Sequence, residues 1–511
     1  MPLARTWSVA LVGVQGHLVE VEADLASGIP CLSLIGLPDT ALQEARDRVR
    51  AAIVNSGETW PQAKITVGLS PASLPKSGSG YDLALAVAIL AAAGLLPADA
   101  LTDVVFLGEL GLDGRVRVVR GVLPAVIAAA RAGRVRVVVP AGNAAEAALV
   151  PGVTVRGVSS LAQVARILRG EDVPQEESTA AEPDLAPERG DAAKLDLADV
   201  RGQGDGRRAI EIAAAGGHHL FLLGPPGAGK TMLAERLPTI LPRLADAESL
   251  EVTAIHSVAG TLLTRCPLVT AAPFRNPHHT ASVAAIVGGG SGVARPGEVS
   301  LAHRGVLFLD EAPEFSRVSL DALRQPLEAG EIRIARAGGT AVYPARFMLV
   351  LAANPCPCAA AGGPTRLCSC APQARRRYLS RLSGPLIDRI DLRVELPAVT
   401  RADLFADRVG VEDSAAVAIR VEAARFRAQA RLVGTPWSTN AQVPGPELRR
   451  NWPISRSAMG SVDRALHRGG LTARGLDRVM RVAWTLADLR GASTPAGLDV
   501  DEALNLRQAA A

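Results

Sequence analysis

Eight consecutive residues carry the clearest chemistry in the chain: Gly224-Pro225-Pro226-Gly227-Ala228-Gly229-Lys230-Thr231. The spacing is GxxxxGKT, fed by the apolar run HLFLLG and followed by a helical pattern. Glycines let such a loop curl until its backbone N–H groups face a β-phosphate at a helix N-terminus. There Lys230 reaches the β- and γ-phosphates and Thr231 holds magnesium, so ATP and Mg2+ are the expected ligands. In GVLFLDEAPEF, the strand pattern Val306 to Leu309 ends at Asp310-Glu311. Asp310 is expected near the magnesium, through water, and Glu311 is expected to polarise the attacking water. A third run, FMLVLAAN, ends at Asn354, whose amide could sense the γ-phosphate or simply close a strand-end turn. Ligands of open parallel sheets lie at the C-terminal ends of strands, where all three groups fall.

Other residues offer weaker chemistry. Cys356-Pro357-Cys358 and Cys368-Ser369-Cys370 form two CxC pairs beside Asn354. Four thiolates could hold a structural Zn2+ ion in tetrahedral geometry; reduced structural thiols and a regulatory disulfide are the alternatives. Arg375-Arg376-Arg377-Tyr378 is the densest basic patch. Its guanidiniums could bind phosphates and Tyr378 could stack on an exposed base, or the run could be a solvated helix start. Glu331 to Tyr343 reads as a hairpin around Gly338-Gly339, with Arg333 and Arg336 on opposite faces and either able to meet phosphate. The pair His278-His279 is a poor metal site, because adjacent side chains diverge on a strand.

Elements of alternating type must position these groups. Residues 1–170 read as a mixed-sheet α/β domain, with strands in WSVALVGV, HLVEVEADL, CLSLIGL and KITVGL, a helix in ALQEARDRVRAAIVNSG and a buried helix in YDLALAVAILAAAGLL. Residues 171–194 hold eight acidic residues against Arg189 and Lys194, the composition of a flexible linker. A second α/β unit, 195–398, contains the nucleotide motifs, and 399–511 reads as a helical lid.

A length of 511 residues fits about three domains. With 48% hydrophobic and 21% charged residues the chain is neither fibrous nor generally disordered. A net charge of +4 excludes a histone-like coat but leaves room for a local nucleic-acid groove. Aromatic residues are only 3%, which favours tracking of a phosphate backbone, with weak sequence specificity, over a broad stacking platform. The longest apolar run, Leu83 to Leu96, is shorter than the roughly 20 residues a membrane helix needs. No signal peptide is read in MPLARTWSVALVGVQG, and six cysteines in so long a chain do not make an extracellular scaffold. A cytoplasmic protein without membrane contact is expected.

The runs NPHHTAS, PGEVSLAHRGVLFLDE, YPARFMLVLAANPCPC and LSGPLIDRIDL are more specific than the phosphate loop alone. Through them nearly the whole chain resembles the magnesium-chelatase-like AAA+ ATPases of the YifB/ComM family, competence-associated proteins linked to branch migration of DNA. The resemblance implies an α/β fold with a Lon-protease-like N-terminal domain, a chelatase-type AAA+ core and a helical C-terminal lid. It implies that Arg389, in IDRID, is an arginine finger crossing to a neighbour's ATP, with Arg381 a weaker companion. Arg474, in LTARGLDR, resembles the lid's second sensor. The family implies a homo-hexamer acting on single-stranded or branched DNA alongside recombination proteins, with the Arg333/Arg336 hairpin facing the ring channel. One departure is Ala359, where a glycine commonly follows the first cysteine pair. Peptidase chemistry is not expected: Gly80 and Leu123 stand where the Lon serine and lysine would fall, and neither Ser77 nor Ser79 beside Lys76 matches that dyad. The implied function is an ATP-driven DNA translocase or helicase for branch migration in homologous recombination and natural transformation. A motor remodelling a protein partner and a regulatory ATP-binding ring are the rivals.

Overall fold

The computed structural model describes residues 3–508 except 37–38, 40–41, 43, 172–194, 263–266, 291–293, 337–338, 359–369 and 406–410. The acidic linker expected at 171–194 therefore lies, from residue 172 onward, outside the described residues, as does Cys368.

Alternating burial along β1 (Leu3–Val12) and β2 (Gln15–Ala26) makes a long antiparallel hairpin. Val12 pairs with Gln15, so Gly13-Val14 alone turns the chain, and Gly13 takes φ +66°. Further strands β3 (Cys31–Ile35), β4 (Lys64–Ser70), β5 (Val104–Phe106), β6 (Arg136–Pro140) and β7 (Thr154–Val158) complete a mixed sheet ordered β3-β4-β2-β1-β5-β6-β7. Helix α1 (Ala45–Asn55) buries one face, whereas all eleven residues of α2 (Asp82–Ala92) are buried. The long Ala/Leu run is thus a core helix, as its length requires. Helix α3 (Val122–Arg131) covers the other end of the sheet. The strand pattern RVRVVRG shrinks to the two-residue strand Val116–Arg117.

The second unit begins with α4 (Gly204–Gly216), whose apolar face packs on β8 (Leu220–Leu223). The phosphate loop follows, then α5 (Lys230–Arg236) and α6 (Asp246–Ala259). Strands β9 (Phe274–Arg275) and β10 (Val306–Leu309) precede the hairpin β11 (Glu331–Arg336) and β12 (Gly339–Pro344). Next come β13 (Met348–Ala353), α7 (Pro372–Leu379) and β14 (Leu392–Glu395). The core sheet is ordered β9-β10-β13-β8-β14 and every ladder in it is parallel. Helices lie over both faces, so β10 and β13 read as unbroken apolar runs with every residue buried. Beyond it α8 (Ser414–Arg431), α9 (Ala473–Arg490) and α10 (Gly497–Gln508) share one apolar cluster with α4 and β8. The helices expected after residue 399 are therefore packed on the core.

Contacts between the first two units are specific. Val12 and Val14, at the β1–β2 turn, pack against the cluster holding Ile332, Ile334, Ala341 and Tyr343 of the β11–β12 hairpin. Ser257 on α6 accepts the Gly121 N–H at 3.2 Å through its carbonyl and donates its hydroxyl to Glu146.

Candidate nucleotide site

Gly224 follows β8, of which only Leu223 is not fully buried, and Gly227 and Gly229 take φ +77° and +83°, values that a side chain would strain. A Cβ at either position would meet no atom within 4 Å, so the inner side of the loop is open to a phosphate chain. Lys230, at the first position of α5, sends its ammonium to Gly224 O (2.7 Å), Pro225 O (2.9 Å) and Asn354 Oδ1 (3.0 Å). Burial lowers its pKa, and Asp310 and Glu311 oppose that shift. The Thr231 hydroxyl donates to Asp310 Oδ2 at 2.7 Å. Two adjacent side chains on the loop helix thus reach one group just past β13 and one at the end of β10, spanning three adjacent strands. Hydroxyl beside carboxylate is a hard oxygen pair suited to magnesium, and the ammonium beside an open loop suits polyphosphate, so the residues fit MgATP.

Glu311 adopts φ +49°, a left-handed conformation costing about 1–2 kcal/mol for a residue with a Cβ. Its N–H donates to Asp310 Oδ1 at 2.9 Å, and its carboxylate is exposed. His279 Nδ1 lies 3.9 Å from Glu311 Oε2, with its ring edge-on to Phe315 at 6.4 Å. Sequence reasoning weighed the histidine pair as a metal site and missed this neighbour of Glu311. Only the return of the chain after β9 along β10 brings it there.

Arg389 lies toward the opposite end of the parallel strands. Leu220 to Leu223 pair in register with Leu392 to Glu395, so the phosphate loop follows the C-terminal end of β8 while Arg389 precedes the N-terminal end of β14. Arg389 pairs with Glu328 and Pro385 O. Burial lowers its pKa, and so do the nearby cations Arg474, Arg324 and Arg478. Arg474, exposed in the first turn of α9, is thus near Arg389. Asp391 locks this end. Its buried carboxylate accepts from Arg478 and from the His219 N–H (3.1 Å), and Arg478 holds its pKa well below the usual carboxylate range despite burial. Arg381 turns elsewhere, to Glu314 at 2.9 Å and Pro313 O at 3.1 Å.

Arg333 and Arg336 are exposed on the β11–β12 hairpin while Ile332 and Ile334 are buried, and Arg333 pairs with Glu331. The hairpin turn at 337–338 lies outside the described residues. Arg375, Arg376 and Arg377 are exposed on α7. Tyr378 corrects an expectation. It is 5% exposed, with its hydroxyl against the Asn354 backbone, and burial pushes its pKa up to about 12, so it is not available to stack on a base. A helical period of 3.6 turns it inward from three outward arginines. Cys356, Cys358 and Cys370 bring their sulfurs within 4.8 Å of one another. In the N-terminal unit Lys76 is buried against Pro71 O and Ser79 donates to Glu109, so lysine and serine have different partners.

Comparison with known proteins agrees with this geometry. Residues 196–404 match the family description "Magnesium chelatase, subunit ChlI", 21–143 match "Subunit ChlI of Mg-chelatase" and 411–507 match its C-terminal region. YifB of Salmonella typhimurium is 42% identical over 99% of this chain and 97% of its own. The chain belongs to the YifB/ComM family of magnesium-chelatase-type ATPases. Competence protein ComM of Haemophilus influenzae is 42% identical over 96% of the chain and 94% of its own length. A Mycobacterium tuberculosis protein is 56% identical over the whole of both chains. Lon protease of Trichlorobacter lovleyi is 26% identical over 26% of this chain and 17% of its own length. As a family member the chain is an ATP hydrolase with an AAA+ core and C-terminal helices. No helix among the described residues is long and apolar enough to cross a membrane.

Proposed function

We propose that this ATPase is a DNA translocase or helicase that drives branch migration during homologous recombination, including natural transformation, as a cytoplasmic homo-hexameric ring. The observation that carries the ring is the placement of Arg389, with Arg474 nearby, toward the end of the strands opposite the phosphate loop. An arginine there serves a nucleotide only across a subunit boundary.

Within one interface, Lys230 exchanges its carbonyl and Asn354 partners for phosphate oxygens, and Thr231 and Asp310 hold the metal. Magnesium held there would supply neutralisation of the charge that develops on the phosphates. Glu311 orients and polarises the attacking water, Asn354 reads the γ-phosphate, and the neighbour's Arg389 and Arg474 stabilise the transferred group. DNA is engaged through its phosphates by Arg333 and Arg336 on the hairpin and by Arg375, Arg376 and Arg377 on α7. The name of the competence relative supports the recombination setting. The N-terminal domain is a Lon-like fold without the protease dyad, docked on the hairpin, where it supports the ring or receives recombination proteins.

Steady-state ATP hydrolysis with no DNA and with linear, single-stranded, forked and four-way-junction DNA tests the reading, with Lys230→Ala and Glu311→Gln as controls. Stimulation by forks or junctions with strand displacement is expected. An active ATPase indifferent to every DNA would overturn the DNA assignment in favour of a motor acting on a protein partner.

A further inference from the structure

Three cysteines next to the sensor asparagine come from two separate segments. Cys356 and Cys358 follow β13 directly, and Cys370 stands two residues before α7 begins. Their sulfurs lie within 4.8 Å of one another, with Cys356 buried and Cys358 exposed. Around a tetrahedral zinc with Zn–S near 2.3 Å, neighbouring sulfurs stand roughly 3.8 Å apart, so the cluster needs only small side-chain adjustment to close on an ion. The Cys356–Cys358 separation of 3.2 Å is far beyond the roughly 2.05 Å of a disulfide. Soft thiolates select zinc over the magnesium of the neighbouring oxygen site.

What the cluster joins matters more than the ion. Asn354 lies two residues before Cys356, and its amide oxygen receives the Lys230 ammonium at 3.0 Å. Cys370 leads into the N-terminus of α7, and Tyr378, near the other end of that helix, is buried against the Asn354 backbone. Both ends of α7 are therefore fastened to the strand end that holds Asn354. The outer side of the helix carries Arg375, Arg376 and Arg377.

We propose that Cys356, Cys358 and Cys370 ligate a zinc ion that fastens α7 to the Asn354 strand end, so that a change in the nucleotide pocket moves the arginine face of α7. The link to DNA rests on the translocase reading above; the metal and the fastening do not. Without the ion, the N-terminal end of α7 loses its tie to the Asn354 strand end, while Tyr378 and Leu379 still anchor its C-terminal end.

The test uses the full chain, expressed in zinc-containing medium and purified without chelator. Metal analysis is expected to find about one zinc per chain, falling well below half in Cys358→Ser. That substitution sits on the exposed cysteine, so a thermal melt and fluorescent-nucleotide binding should stay near wild type. Hydrogen exchange then follows the α7 peptide with ADP and with a slowly hydrolysed ATP analogue. Wild type is expected to protect α7 more in the ATP-like state, and Cys358→Ser to lose that difference while still binding nucleotide. Chain without zinc overturns the metal site, and an unchanged α7 response in a zinc-free, folded Cys358→Ser protein overturns the coupling. DNA binding by wild type, measured in parallel, tests the translocase reading separately.

Discussion

Replacing Arg389 by alanine tests the geometry of the ring. Strands β8 and β14 run parallel and in register, with Leu220 opposite Leu392. Gly224 therefore lies about 13 Å along the strands from the level of Leu392, at roughly 3.3 Å per residue, and Arg389 begins before that level. Arg389 therefore starts too far down the strands to serve the phosphate loop of its own chain. Loss of a trans arginine is worth on the order of 10³-fold or more in kcat, with nucleotide affinity largely kept. The decisive assay mixes defects. Lys230→Ala removes the phosphate ligand but keeps the finger, whereas Arg389→Ala does the reverse. In rings assembled at random from equal amounts of the two, about one interface in four joins an intact loop to an intact arginine. With independent interfaces, co-expressed and doubly tagged rings should recover about a quarter of wild-type hydrolysis. Activity no higher than the two parents alone would refute the shared site and require Arg389 to act within its own chain.

Acid should weaken the protein through His219. Its Nδ1 accepts the Leu349 N–H at 3.0 Å, which requires a neutral ring, and burial pushes its pKa from 6.5 down to about 4. The unfolded chain binds the extra proton, so stability is full above pH 6.5 and falls as pH drops toward 4, by at most about 3 kcal/mol. Urea melts from pH 7 to 4.5 should show this slope flattened in His219→Gln. Gly13→Val places a Cβ 2.7 Å from Val342 O on a backbone at φ +66°. It should cost at least about 1–2 kcal/mol in a thermal melt and loosen the packing of the β1–β2 turn on the β11–β12 hairpin, seen as faster hydrogen exchange in residues 339–344. Replacing Arg333 and Arg336 by alanine should weaken binding to all DNA sequences alike. The slope of log affinity against log salt should become shallower by about 1 for each phosphate that these arginines neutralise.

The sequence alone determined the nucleotide chemistry, because backbone conformation and ligand type are local properties there. Gly227 and Gly229 encode left-handed turns, Lys230 and Thr231 follow at fixed spacing, and the β10 and β13 runs are apolar because both faces are covered. The domain-scale alternation of strands and helices was legible for the same reason: periodicities of 2 and 3.6 are written residue by residue. Tertiary structure decided whatever depends on distant segments meeting. It set His279 beside Glu311, put Arg389 at the sheet end away from its own phosphate loop with Arg474 nearby, and gathered cysteines from two segments at Asn354. It also turned Tyr378 inward from an arginine run that reads as wholly exposed. Parallel-strand order is the physical cause for His279 and Arg389, since it fixes which loops share an end of the sheet, and no local pattern encodes it.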